Sequence, residues 1–260
     1  MSEFQLLIDL HKRALRQGPG GDAETAQAID LAGIDRNAEI KIADIGCGTG
    51  ASALTLARLT KARIIAVDFL QDFVDVLQAR ADSEGVADRI APVCASMDAL
   101  PFNEEEFDVI WSEGAIYNIG FQRGIVDWRR YLKPDGLLIV SEITWTTSSR
   151  PSELQSHWDR EYPQVDTASA KIREIEESGY SPIGYFVLPE RCWLDNYYEP
   201  MRAGFSQFLA RNGNSDEARA IVEEERKEIA LYEKYKAYYS YGVYIARKSS
   251  AEALVGDQQG

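Results

Sequence analysis

Apolar residues fall along this chain in two alternating textures. Short, nearly unbroken apolar runs at 41–45, 63–67, 89–94, 107–112 and 137–142 read as strands, while 51–60, 70–84 and 121–132 carry apolar residues at helical spacing. Strands apolar on both faces and separated by amphipathic helices predict a parallel sheet covered on both sides, the doubly wound α/β arrangement. Ahead of the first strand, Phe4 to Arg16 and Thr25 to Leu31 read as helices, and Gln17-Gly18-Pro19-Gly20-Gly21 breaks the chain between them. Past Glu142 the texture changes. A Thr/Ser-rich loop leads into one charged helix ending near Gly179, then a strand at Tyr185–Leu188, a mostly helical stretch from Trp193 to Tyr239, and a strand at Tyr241–Ala246. Residues from Ser249 onward are small and polar and read as a frayed tail.

The first strand runs into Asp44-Ile45-Gly46-Cys47-Gly48-Thr49-Gly50, a glycine turn that opens the next helix. Such a turn lets backbone N–H groups approach a ligand, and the helix behind it offers its positive end. Gly46-x-Gly48-x-x-Ala51 satisfies the dinucleotide fingerprint, so this motif leaves open NAD(P) and other adenosine cofactors. Asp44, just before the turn, would repel a pyrophosphate and favour a ligand bearing an amino group or a sulfonium, as S-adenosylmethionine does. Asp68, at the end of the second strand, suits both ribose hydroxyls of either cofactor. Ligands of doubly wound sheets bind outside the carboxyl ends of the strands, where Gly46, Asp68, Ser96 and Glu113 all fall.

With these residues the chain resembles the class I S-adenosylmethionine-dependent methyltransferases, and three further segments follow that family's order: Val93–Phe102 with its Leu100-Pro101-Phe102 ending, Phe107–Gly114, and Tyr131–Val140. The resemblance implies a Rossmann-like, doubly wound, mostly parallel seven-stranded sheet with an antiparallel last strand, here widened by a helical cap insertion. It also implies a single domain over 1–260: N-terminal helices and glycine loop over 1–39, a cofactor-binding core over 40–142, an acceptor side with the insertion over 143–248, and a tail over 249–260. For S-adenosyl-L-methionine it places Asp44, Gly46, Gly48 and Gly50 around the methionine portion, Asp68 at the ribose, Phe69 beside the adenine, Ser96 and Met97 at the adenine's edge, and Gly20 in the loop lying over the cofactor. On the acceptor side, Glu113 becomes a candidate to accept bonds from the cofactor's amino group or to act as base, and Tyr117 and Asn118 candidates for orienting the nucleophile. The segment departs from the Asn-Pro-Pro-Tyr motif of enzymes that methylate planar nitrogens. Glu142 and Trp145 are placed at the same rim, with Trp145 able to stack near a sulfonium, and His157 in a cap helix reads as an ordinary histidine. Most of the C-terminal tyrosines read as packing.

Composition narrows the partners. A formal net charge of −14 opposes nucleic acid and anionic membranes as bulk partners, and the expected partner is a small-molecule acceptor. Three cysteines, without paired or metal-ligand spacing, suit a reducing cytoplasm and suggest no metal. The first residues lack the pattern of a secretory leader, and the expected form is a cytoplasmic monomer or homodimer. Two alternatives remain: an NAD(P) oxidoreductase, disfavoured by Asp44 and by the lack of a well-placed Tyr-x-x-x-Lys pair, and a non-catalytic S-adenosylmethionine-binding module.

Overall fold

The computed structural model describes residues 2–249; most of the expected tail lies outside the described residues. The elements run α1 (Glu3–His11), α2 (Asp22–Leu31), β1 (Lys41–Ile45), α3 (Ala51–Leu59), β2 (Arg63–Asp68), α4 (Gln71–Glu84), β3 (Ile90–Cys94), β4 (Phe107–Ser112), α5 (Phe121–Trp128) and β5 (Leu132–Trp145). They continue with α6 (Ser152–Glu161), β6 (Asp166–Thr167), α7 (Ala168–Glu177), β7 (Tyr180–Val187), α8 (Glu190–Trp193), α9 (Glu199–Arg211), α10 (Asp216–Tyr235) and β8 (Tyr239–Lys248). A π-helical turn at Leu194–Tyr198 joins α8 to α9. Among the described residues, no helix is long and apolar enough to cross a membrane.

The sheet order is β3-β2-β1-β4-β5-β8-β7. β1 to β5 pair in parallel, and β8 lies antiparallel between β5 and β7. From β1 the chain moves outward through β2 and β3, then crosses back to lay β4 on the other side of β1. The crevice at this reversal opens at the carboxyl ends of β1, β2 and β4.

Both sheet faces are packed. One buries Ile42, Ile64, Val109, Ile139 and Ile245 beneath α2, α3 and the α8–α10 insertion; the other buries Ala43, Ile45, Ile110 and Val140 beneath Phe121, Ile125 and Trp128 of α5. The insertion is fastened by aromatic stacking of Trp193 on Tyr232 and Tyr241, at 4.3 and 5.3 Å between ring centroids. Tyr198, Tyr232, Tyr239 and Tyr244 are core residues.

Four details differ from the sequence reading. The charged segment before Gly179 is two helices, α6 and α7, because Pro163 follows Tyr162 and cannot continue the first. β5 runs on to Trp145, and its last residues pair with β6, which makes the sheet eight-stranded instead of seven-stranded. The first helix stops at His11, so residues 12–21 form a strap across the crevice. The helix expected over 121–132 ends at Trp128 and passes through a 3₁₀ turn, Arg129–Tyr131, into β5.

The extra length of β5 buries a carboxylate. Glu142 has no exposed surface and neither of its oxygens has a hydrogen-bond partner; Lys171 Nζ stands 4.0 Å away, itself 4.5 Å from the Phe121 ring centroid. Burial pushes the Glu142 carboxyl up to about 7, with Lys171 opposing. Its folded value lies above its unfolded one, so its contribution is full below the unfolded pKa and is lost as pH rises toward about 7. Glu142→Gln, which stays neutral, is expected to gain stability relative to the parent by up to about 3 kcal/mol between pH 5 and pH 8. Urea unfolding of both proteins at the two pH values measures this, and parallel behaviour would contradict it.

Candidate functional site

The glycine turn is tied to the neighbouring strand. Gly46 and Cys47 N–H groups both donate to the Val67 carbonyl, at 2.8 and 3.0 Å. Gly46 sits at φ +75°, and a Cβ there would overlap the Cβ of Ala115, so the loop after β4 rests directly on the bare α-carbon. At Gly48 (φ +56°) a Cβ would displace Gln17, whose Oε1 accepts from Thr49 N–H at 2.8 Å. The bare surface thus admits other parts of the protein as well as leaving backbone open to a ligand. Gly50 plays the same packing part beneath Leu77 and is not on the cleft wall.

Asp68 completes the turn. Its Oδ2 accepts from Gly48 N–H and its Oδ1 from Leu70 N–H, both at 2.9 Å, which fixes the carboxylate plane at the mouth of β2. Burial raises its pKa above the ordinary aspartate value, with the backbone donors opposing. Next to it Phe69 is 67% exposed and lines the same cleft. Ser96 and Met97 line the cleft too, with Met97 Cε beside Gly46; Ser96 Oγ donates to Asp98 Oδ1 at 2.6 Å, and Trp128 Nε1 anchors the Met97 carbonyl at 3.0 Å. Asp98 lines the cleft too, and the sequence reading passed over it.

Two expected contacts lie elsewhere. Asp44 has no accessible surface: it sits beneath the turn, its Oδ2 accepting from Ser52 Oγ at 2.6 Å and its Oδ1 without a partner. Burial pushes its carboxyl up to about 7, Ser52 opposing and the Glu113 and Asp68 carboxylates adding to the rise. Ser52, not Asp44, reaches the wall. Gly20 is buried behind Arg16 and tied to the insertion through Asn196 Nδ2, which donates to its carbonyl at 2.7 Å; Gln17, Gly18 and Pro19 line the cleft in its place.

Glu113 corrects a further expectation. Its Oε2 accepts from Arg16 at 3.1 Å, and its Oε1 from Thr25 Oγ1 at 2.8 Å and Trp111 Nε1 at 3.0 Å. A carboxylate holding a guanidinium and two further donors is a structural anchor for the strap, not a base ready to take a proton. Arg16, absent from the sequence reading, also pairs with Asp22; burial opposes its charge, but the two acids outweigh it and raise its pKa. Beyond Glu113, Gly114 N–H donates to Ser141 Oγ at 2.7 Å and holds the loop that delivers Tyr117 and Asn118 to the cleft. Asn118 Nδ2 closes that loop on the Ala115 carbonyl at 2.9 Å.

Past Tyr117, α1 and the insertion enclose the far end of the cleft with Phe4, Leu7, His11, Tyr197, Glu225 and Glu228. His11 Nε2 stands 3.2 Å from Glu225 Oε1. The Tyr197 hydroxyl is raised, by burial first and by the Glu228 carboxylate next, while Tyr117 is 41% exposed. Glu142, Trp145 and His157 do not line this cleft. Trp145 is a buried packing residue, with Nε1 donating to the Val165 carbonyl and Arg150 over its ring at 4.1 Å, so it does not serve a sulfonium. The whole cleft has a volume of about 720 Å³, within the roughly 300–1,000 Å³ usual for small-molecule sites.

Known proteins resemble this chain in sequence and in fold. The methyltransferase-domain family matches residues 42–136, the stretch from β1 into β5 that carries the glycine turn and Asp68. Demethylmenaquinone methyltransferase of Clavibacter sepedonicus is 30% identical over 176 residues, covering 66% of this chain and 68% of that protein. The chain belongs to the class I S-adenosylmethionine-dependent methyltransferases. Another relative from this methyltransferase family, methyltransferase GfsG of Streptomyces halstedii, is 32% identical over 124 residues, 47% of this chain and 44% of its own length. An uncharacterized protein of Haemophilus influenzae is 29% identical and matched over 59% of its length, so the chain spans about half of these two relatives. The fold is shared with a solved S-adenosylmethionine-dependent methyltransferase from Geobacter sulfurreducens in complex with S-adenosyl-L-homocysteine, with a TM-score of 0.82 at 17% identity over 93% of this chain and 97% of that one. It is shared as well with the [4+2]-cyclase SpnF, with a TM-score of 0.74 at 20% identity over 95% and 93% of the two chains.

Proposed function

We propose that this protein transfers a methyl group from S-adenosylmethionine to a small-molecule acceptor. The observation that carries this reading is Asp68: a carboxylate held by two backbone donors at the end of β2, beside an exposed aromatic face and the glycine turn of β1. Each oxygen keeps a lone pair for a ribose hydroxyl, and an exposed Phe69 at a cleft mouth is the surface an adenine covers. Met97 and the Ser96–Asp98 pair would meet the edge of that base. Gly46, Gly48 and the first turn of α3 would take the methionine portion, with Ser52 and Gln17 beside it.

When bound, S-adenosylmethionine supplies an electrophilic methyl carbon, whose bond to sulfur breaks with its electron pair staying on sulfur as an acceptor's lone pair forms the new bond. Alignment and exclusion of water therefore carry most of the burden on the protein. The strap over residues 12–21, locked down by Arg16 and Gln17, closes the cofactor half of the cleft, and Tyr117 and Asn118 stand where an acceptor is oriented. A small molecule is the acceptor favoured by a cleft bounded on two sides by α1 and α10.

Because the same fold also appears in a protein named for a cyclase, binding and turnover need separate readouts. Calorimetric titration with S-adenosylhomocysteine is expected to show stoichiometric binding, and incubation with methyl-labelled cofactor and a metabolite extract is expected to yield a labelled small molecule. Binding without labelled product would favour the non-catalytic binder. Absence of binding would overturn the reading.

A further inference from the structure

We propose that the acceptor enters as a small ammonium-bearing molecule, held at the far end of the cleft by Glu225 and Glu228 of α10. This rests on the methyltransferase reading above and names the substrate class it leaves open.

Among the described residues, five carboxylates line the cleft, Asp68, Asp98, Glu113, Glu225 and Glu228, against one guanidinium, Arg16, and one imidazole, His11. Arg16 is spent on Glu113 and Asp22. Asp68 and Asp98 lie at the adenosine end, which leaves Glu225 and Glu228 beyond Tyr117 as acids without a Lys or Arg partner among the described residues. They stand three residues apart on one helix and so share a face. Among the described residues, neither forms an ion pair with Lys or Arg; Glu225 meets only His11, and Glu228 accepts a hydrogen bond from Tyr198 at 3.0 Å.

Glu225 points most directly to a ligand. It is 9% exposed, it lines the cleft, and its Oε2 has no hydrogen-bond partner. A buried carboxylate oxygen without a donor is costly unless a cation arrives to meet it. Tyr117 and Tyr197 line the same end and feel the Glu228 charge, so aromatic faces and carboxylates surround one space, the combination that recognises an ammonium. Among the described residues, no Lys or Arg side chain lines this end to receive an anionic acceptor. Passing one proton from the bound ammonium to Glu228 would leave a neutral amine with its lone pair exposed, and the acid would hold the proton.

The test uses protein saturated with S-adenosylhomocysteine and a panel of aliphatic and aromatic amines, each titrated beside its matched alcohol and carboxylate. Binding of at least one amine is expected to be tenfold or more tighter than that of its two partners. The Glu225→Gln/Glu228→Gln variant is expected to lose that preference, with affinity for S-adenosylhomocysteine within twofold of the parent and an unchanged circular dichroism spectrum. If S-adenosylhomocysteine itself fails to bind, the underlying reading falls. If it binds while alcohols or carboxylates match or exceed every amine, the ammonium proposal alone is overturned. It is overturned equally if the double variant loses S-adenosylhomocysteine as severely as the amine, since the two acids would then serve the cofactor. As an independent readout, labelled product formed from a metabolite extract is expected to be retained on a cation exchanger, and a neutral or anionic product would contradict the proposal.

Discussion

Alanine at Asp68 is expected to weaken S-adenosylhomocysteine binding by about 100-fold or more. Two effects combine. The variant removes the proposed acceptor for both ribose hydroxyls, and charge-assisted hydrogen bonds contribute about 1.5–3 kcal/mol each; a loss of about 3 kcal/mol corresponds to about two decades in affinity. It also releases Gly48 and Leu70 N–H groups, which Asp68 now holds at 2.9 Å, so the turn loses the brace that aims it at the ligand. Asp68→Asn keeps an acceptor oxygen and is expected to fall between the two. Calorimetry on the three proteins checks the order, and an affinity within threefold of the parent for the alanine variant would remove Asp68 from the site.

Gly46→Ala is expected to abolish measurable cofactor binding and to lower the melting temperature. The residue occupies φ +75°, where a side chain costs about 1 kcal/mol. The new Cβ would also overlap the Cβ of Ala115, which is fixed by its own backbone and cannot swing aside. Relief requires moving the Gly114–Ile116 segment, and with it Tyr117, at an overpacking cost of about 1–3 kcal/mol. Together these correspond to a fall of about 5–12 °C for a chain of this size. Removing the obstructing methyl with Ala115→Gly in the same chain is expected to recover part of the stability, because it relieves the overlap and leaves the backbone cost. A double variant no better than the single one would place the damage in the dihedral angle alone.

Glycines at 46 and 48 were legible as a tight turn from their spacing, yet their neighbours were not. Spacing reports backbone freedom and says nothing of Ala115 or Gln17, which arrive from distant loops to fill the bared space. Asp44 illustrates the opposite error. Its position before the turn suggested contact, but β1 is covered on both faces and α3 packs close, so Asp44 is buried against Ser52. Glu113 lost its candidacy as a base for a similar reason: the three donors that saturate it come from Arg16, Thr25 and Trp111, and only Trp111 lies near it in sequence. Pro163, which splits the charged segment into α6 and α7, was a local signal that the sequence carried plainly.

By itself, the order of residues determined the alternation of buried strands and amphipathic helices, the glycine turn, the acid ending β2, and hence the family. These are consequences of local periodicity and backbone chemistry, readable within a few residues. The end of the cleft enclosed by α1 and α10 was decided only by tertiary packing. His11 meets Glu225 across a separation of 214 residues, and a helix's own sequence says which of its faces is polar, not which distant element that face will meet.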